Sequence, residues 1–181
     1  MTSDPIHSPW TIAVAIEADS WSRSLADAEA LVGRAAVAAL AASCPALPAA
    51  RVSVLLTDDP TQQALNKEWR GRDEPTNVLS FPATRTREGE TPQPEFAGVP
   101  LELGDIALGF EICAAEAGAA GKTLAHHAQH LVVHGVLHLI GYDHQDEAEA
   151  ERMERLETRI LGGLGVPDPY ASDCYHQETV P

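Results

Sequence analysis

TLAHHAQHLVVHGVLHLIGYDH, residues 123 to 144, is the stretch from which the fold is read. Its apolar residues (Leu124, Leu131, Val132, Val133, Val136, Leu137, Leu139, Ile140) surround the segment instead of lining one side. That pattern predicts a helix from Thr123 to Ile140 buried on most sides. Residues four apart lie one turn on along the same face, so His134 and His138 come within reach of one ion. Gly141 can take the left-handed conformation that ends a helix, and the chain can then return His144 to the same point. Three neutral nitrogen ligands with one open position describe a catalytic zinc site better than a structural one, which four protein ligands normally close. The expectation is one zinc ion per chain on His134, His138 and His144. His126 and His130 share the helix, but four-residue steps drift about 40° each round a 3.6-residue turn, so not every histidine can meet one ion. His130 is read as a neighbour of the ligands or a hydrogen-bonded core residue, and His7, His126, His127 and His176 as surface or structural. Asp143 can orient a ligand ring or cap the next helix.

The spacing His-x3-His-x2-Gly-x2-His is also that of the metzincin proteases, whose motif places glutamate directly after the first histidine as general base. Here that position is Gly135, which cannot take a proton. The ligand pattern is kept and the base is missing.

Outward from this helix, periodicity gives the remaining elements. Thr11 to Glu17 alternates as a half-buried strand, and Arg51 to Thr57 reads as a buried one. Ser24 reads as the cap of a helix whose stripe runs from Leu25 to Leu40 and stops before Pro45. Asp59 and Pro60 open a helix with Leu65 and Trp69 on its inner face, closed by Gly71. Asn77 to Ala83 and Gly104 to Phe110 are strands, with Ile106 and Leu108 inward. Between them, Thr84 to Pro100 has three prolines, two glycines and five charges without periodicity, the composition of an exposed, mobile loop. Glu111 to about Ala120 is a helix, and so is Glu147 to Leu161, which buries Met153, Leu156 and Ile160. The class is α+β: one domain over residues 1 to 181, a small mixed four-stranded sheet covered by helices, with the metal-binding helix central.

A chain of 181 residues can bury a core without staples. Cys44, Cys113 and Cys174 are odd in number and far apart, as in a reducing compartment. No basic-then-apolar leader opens the chain, and no apolar run approaches the roughly 18 residues of a membrane helix, so a cytoplasmic protein is expected. Twelve basic and 27 acidic residues give a net charge of −15, which on its face argues against nucleic acid. Yet five of the twelve, Lys67, Arg70, Arg72, Arg85 and Arg87, fall between positions 67 and 87. A local basic patch on an acidic body remains open, beside the reading of solvated arginines. No P-loop, dinucleotide glycine pattern or Gly-x-Ser-x-Gly elbow occurs.

LNKEWRGRDEPTNVLSFP (65 to 82) is the second informative stretch. With Leu-Gly-Asp-Ile (103 to 106), the histidine block from 130 to 144 and Gly-Val-Pro-Asp-Pro-Tyr (165 to 170), it resembles the YbeY family of bacterial metal-dependent endoribonucleases. The resemblance implies a zinc-dependent, single-strand-specific endoribonuclease that matures ribosomal RNA at the small-subunit 3′ end and serves ribosome quality control. It implies His134, His138 and His144 as ligands, Arg70 and His134 as catalytic residues, and ribosomal RNA with the ribosome or a ribosomal protein as partners. Asn77 departs from the family's usual Asp. A proton-transfer role for that carboxylate would be absent here, whereas a turn-capping role can pass to Asn. Two other readings stay open: an assembly factor with a mainly structural metal, and a zinc metallopeptidase whose base comes from outside the motif.

Overall fold

In the computed structural model, which describes residues 8–171, the sheet has four strands in the order β1-β2-β4-β3. They are β1 (Trp10–Ile16), β2 (Ala50–Thr57), β3 (Val78–Pro82) and β4 (Leu101–Gly109). β1, β2 and β4 are parallel, and β3 runs antiparallel to β4 at the edge. Six helices complete the order: α1 (Asp19–Ser24), α2 (Ala28–Ser43), α3 (Asp59–Arg70), α4 (Phe110–Ala119), α5 (Leu124–Leu139) and α6 (Glu147–Gly163). The architecture is the expected mixed sheet under helices, with α5 at its centre.

The register explains the core. Val54 pairs with Ile106 and Leu56 with Leu108, so these four buried side chains share one face of the sheet. α5 packs on that face, because a β-carbon at Gly135 would lie 3.0 Å from Ile106. Each fully buried Val, Leu or Ile contributes about 1.5–3 kcal/mol relative to exposure, and α2, α5 and α6 join the same cluster through Leu40, Leu137 and Leu161. On the other face, Arg51 and Glu102 are register partners and form an exposed ion pair of 2.9 Å.

Local chemistry sets the helix ends that frame the site. Asp58 caps α3 by accepting from Thr61 N at 3.0 Å, and Gly71 closes it at φ 70°. Thr123 caps α5 through His126 N, and Asp146 caps α6 through Glu149 N. The role of helix cap therefore passes from Asp143 to Asp146.

Three expectations need correction. Ser24 does not cap the long helix; it ends α1, and α2 begins at Ala28. Trp21 makes the difference. It is fully buried, donates its indole N–H to Thr57 O at 2.9 Å, and meets Phe110 edge to face, which pins a separate short helix. On α3, Trp69 is 65% exposed, and the inner face belongs to Gln62 and Asn66. Those amides are buried because they satisfy backbone carbonyls: Gln62 donates to Ala107 O at 3.0 Å and Asn66 to Glu74 O at 2.8 Å. Leu156 is only half-buried, and Glu157 beside it is fully enclosed. His7, His176 and Cys174 lie outside the described residues.

The segment 84 to 100 contains no helix or strand and is largely exposed. It is tied at three places, one of them Thr91, whose hydroxyl oxygen accepts from Cys44 Sγ at 3.7 Å. Arg152 of α6 donates to Glu88 at 3.0 Å, and Gly141, at φ 95°, backs so closely onto Thr86 and Arg87 that a β-carbon there would enter their backbone. Among the described residues no helix is long and apolar enough to cross a membrane.

Candidate metal centre and arginine-lined cleft

The last two turns of α5 and the turn beyond Gly141 bring His134, His138 and His144 together. Each offers a ligand atom, and these atoms lie within 4.8 Å of one another. The first two rings are held from behind. His134 donates Nδ1–H to Glu157 Oε1 at 2.7 Å, and His138 donates Nδ1–H to the carbonyl of Tyr142 at 2.9 Å. Their Nε2 atoms therefore carry lone pairs, and these face each other at 3.0 Å. Two lone pairs at that distance repel unless a cation lies between them. Tetrahedral zinc at about 2.05 Å from each nitrogen needs ligand atoms about 3.3 Å apart. The donor set thus fits a borderline-soft divalent cation held by imidazole.

Glu157 is the residue that periodicity missed. Its side chain is 0% exposed, and it accepts from His134, from His130 Nε2 at 3.1 Å and from the Tyr170 hydroxyl. Burial alone would raise its carboxyl, but the hydrogen bonds from His130, His134 and Tyr170 more than offset that and lower it to about 2. It is a fixed negative charge behind the triad. Tyr170 is pushed well above the ordinary phenol range by burial and by this carboxylate. His130 thus lies behind the ligands and does not join them.

Burial, with His134 and His144 alongside, lowers His138 from 6.5 to about 4. The neutral, ligating form persists where a free imidazole would be charged. The sign for stability follows from linkage: between those values the unfolded chain binds a proton at 138 that the folded chain does not, so folding weakens as pH falls through the window. Urea unfolding of metal-free protein should show a midpoint independent of this group above about pH 6.5 and falling steadily toward about pH 4. A midpoint that rises over that interval would contradict the burial of His138.

The triad opens into a cleft of about 1150 Å³ that Arg70, Arg72, Arg85 and Arg87 also line. Four of the five clustered basic residues thus meet in one place; the fifth, Lys67, pairs with Asp73 at 2.7 Å. Arg70 leaves α3 one residue before its glycine cap and donates Nη2 to Ser80 O of the edge strand at 3.0 Å. Asn77 accepts from Val78 N through Oδ1 and donates Nδ2 to both oxygens of Glu116, at 3.2 and 3.0 Å. A carboxylate there would face another carboxylate, so the amide suits this surrounding. Glu116 also accepts from His127 at 2.8 Å. Asp143 caps no helix and orients no ligand ring; it accepts from His144 N and from Gln145, and these bonds lower its carboxyl. Position 135 has no room for a protease-type glutamate, since even a β-carbon would press on Ile106 and on Ser80 Oγ at 3.1 Å.

Comparison with known proteins gives concordant results. The family model described as Endoribonuclease YbeY matches residues 15–165. A protein named Endoribonuclease YbeY in Paramagnetospirillum magneticum is 52% identical over 159 residues, covering 88% of this chain and 94% of its own. Its namesake in Azorhizobium caulinodans is 51% identical, covering 88% and 96%. The solution structure of TM1509 from Thermotoga maritima superposes with a TM-score of 0.53 over 94% of this chain and 98% of its own, at 20% identity, a likeness of fold.

Proposed function

The chain belongs to the YbeY family of endoribonucleases, and from that premise we propose that it is a zinc-dependent, single-strand-specific endoribonuclease of the cytoplasm. Its substrate is ribosomal RNA, cut in maturing the small-subunit 3′ end and in ribosome quality control, by one domain spanning residues 1 to 181. One observation carries the reading: a histidine triad with lone pairs converging on one point shares a cleft with four arginines. On a body of charge −15, that cleft is where a phosphate backbone is welcome. The same charge favours delivery by a basic ribosomal protein.

His134, His138 and His144 would hold the ion, which supplies Lewis acidity and an acidified water when bound. Glu157 and Tyr142 keep the first two rings in the ligating tautomer. Arg70 has one N–H committed to Ser80 O, and its remaining donors are available to non-bridging phosphate oxygens, where they stabilise charge as it develops. Arg72, Arg85 and Arg87 form no ion pair with another described residue and can neutralise flanking phosphates.

The test is cleavage of a labelled ribosomal RNA 3′ fragment by zinc-loaded wild type, chelated wild type and Arg70→Glu. Only the first should cut, while Arg70→Glu keeps its zinc and loses at least about a hundredfold in rate. Equal cutting by all three, or by none, would replace the nuclease with an assembly factor whose metal is structural.

A further inference from the structure

Trp69 has the most exposed large apolar side chain among the described residues, and it directly precedes Arg70. An exposed indole at the last turn of an amphipathic helix would ordinarily be free to swing. Here it is held, its ring meeting Phe81 of β3 edge to face at a centroid distance of 6.0 Å. Neither ring lines the cleft itself, but the chain neighbours of both do. Arg70 follows Trp69 directly, and Arg70, Ser80 and Pro82, the last two on either side of Phe81, line the cleft. The Arg70–Ser80 hydrogen bond ties these two short segments together at 3.0 Å. The result is an exposed, braced aromatic pair whose chain neighbours line the arginine-bearing cleft.

We propose that Trp69, braced by Phe81, is a stacking subsite for one unpaired nucleobase of an RNA strand whose phosphates lie along Arg70, Arg72, Arg85 and Arg87. This rests on the reading of the cleft as an RNA site and adds a specificity determinant to it. Arginines alone bind phosphates of paired and unpaired strands alike. An aromatic face is available only to a base that has left its neighbours, so it selects single strands. Protein-partner docking would also explain an exposed tryptophan, but the adjoining arginines on an otherwise acidic chain favour a polyanion.

The experiment is fluorescence anisotropy with the full zinc-loaded chain and three labelled probes: an unpaired oligoribonucleotide, an abasic ribose-phosphate oligomer of the same length, and a hairpin duplex. Wild type should bind the unpaired probe more tightly than the abasic one. Trp69→Ala should lose about five- to a hundredfold on the unpaired probe, the effect of removing one base–aromatic stack, with abasic and duplex binding unchanged. Trp69→Phe should keep most of the affinity, and zinc content should not move. Trp69→Ala binding the unpaired probe like wild type would overturn the subsite, leave the nuclease reading standing and redirect the indole to a protein partner. Equal losses on all three probes would overturn it too. Wild type that binds none of the probes would overturn the RNA reading itself.

Discussion

His138→Ala should arrive from purification without zinc and without nuclease activity, yet folded. Of the three proposed ligands, His138 is the most enclosed by the other two: its Nε2 lies 3.0 Å from that of His134, and its ring centroid is 5.1 Å from that of His144. Removing it leaves two histidines, too few for a site that must also keep an open position. Zinc per chain should fall from one to near zero after dialysis, and cleavage by at least about a hundredfold. The stability result should run the other way. In metal-free protein His138 is a half-buried imidazole whose lone pair faces another, and its removal relieves that repulsion. Metal-free His138→Ala should therefore melt at or above the temperature of metal-free wild type, although it can no longer gain from added zinc. Bound zinc or retained cleavage in the variant would dismiss the assignment of the triad.

The second large effect is expected at Glu157, which touches no substrate. Glu157→Gln keeps the shape but loses the charge and one acceptor, so the Nδ1–H of His134 is no longer held at 2.7 Å by a carboxylate. Metal-binding histidines lose about ten- to a hundredfold in affinity when such a partner goes. Competition with a chromophoric chelator should show that loss in an otherwise native protein. Glu157→Ala goes further. It strands the polar atoms of His130, His134 and Tyr170 around an emptied site, and a loss of about 3 kcal/mol or more in unfolding free energy is expected. Native zinc affinity in Glu157→Gln would mean that His134 is positioned by the helix alone.

The contrast between these residues shows what was legible in the sequence. The triad is a local pattern: two histidines one helical turn apart, a glycine that stops the helix, and a third histidine within reach. Backbone geometry alone joins them. Glu157 is joined to them only by the packing of α6 against α5, and in an amphipathic helix rich in Glu and Arg it looks like one more solvated acid. A signal was present, since 153, 157 and 160 form one stripe and the acid sits between Met153 and Ile160. Trp69 is the converse. Hydrophobicity placed it inside, but the inner face of α3 went to Gln62 and Asn66, because the backbone carbonyls opposite needed donors more than the core needed carbon. Arg70 and its companions were visible as a local excess of positive charge. That Arg85 and Arg87 share a cleft with Arg70 depends on where an irregular loop is seated.

That seat is Gly141, and it makes the protein unequally tolerant of change. The loop is fixed near Thr86 and Arg87 by the glycine, at Glu88 by Arg152 and at Thr91 by Cys44, and it rejoins the sheet at Leu101. Between those anchors the chain is an excursion, and doubling its length would cost only about 0.6 kcal/mol in closure entropy. One methyl group at position 141 would strike loop backbone and require a positive φ that alanine resists. Homologues can therefore vary by several residues in this loop more readily than by a single carbon atom at the glycine.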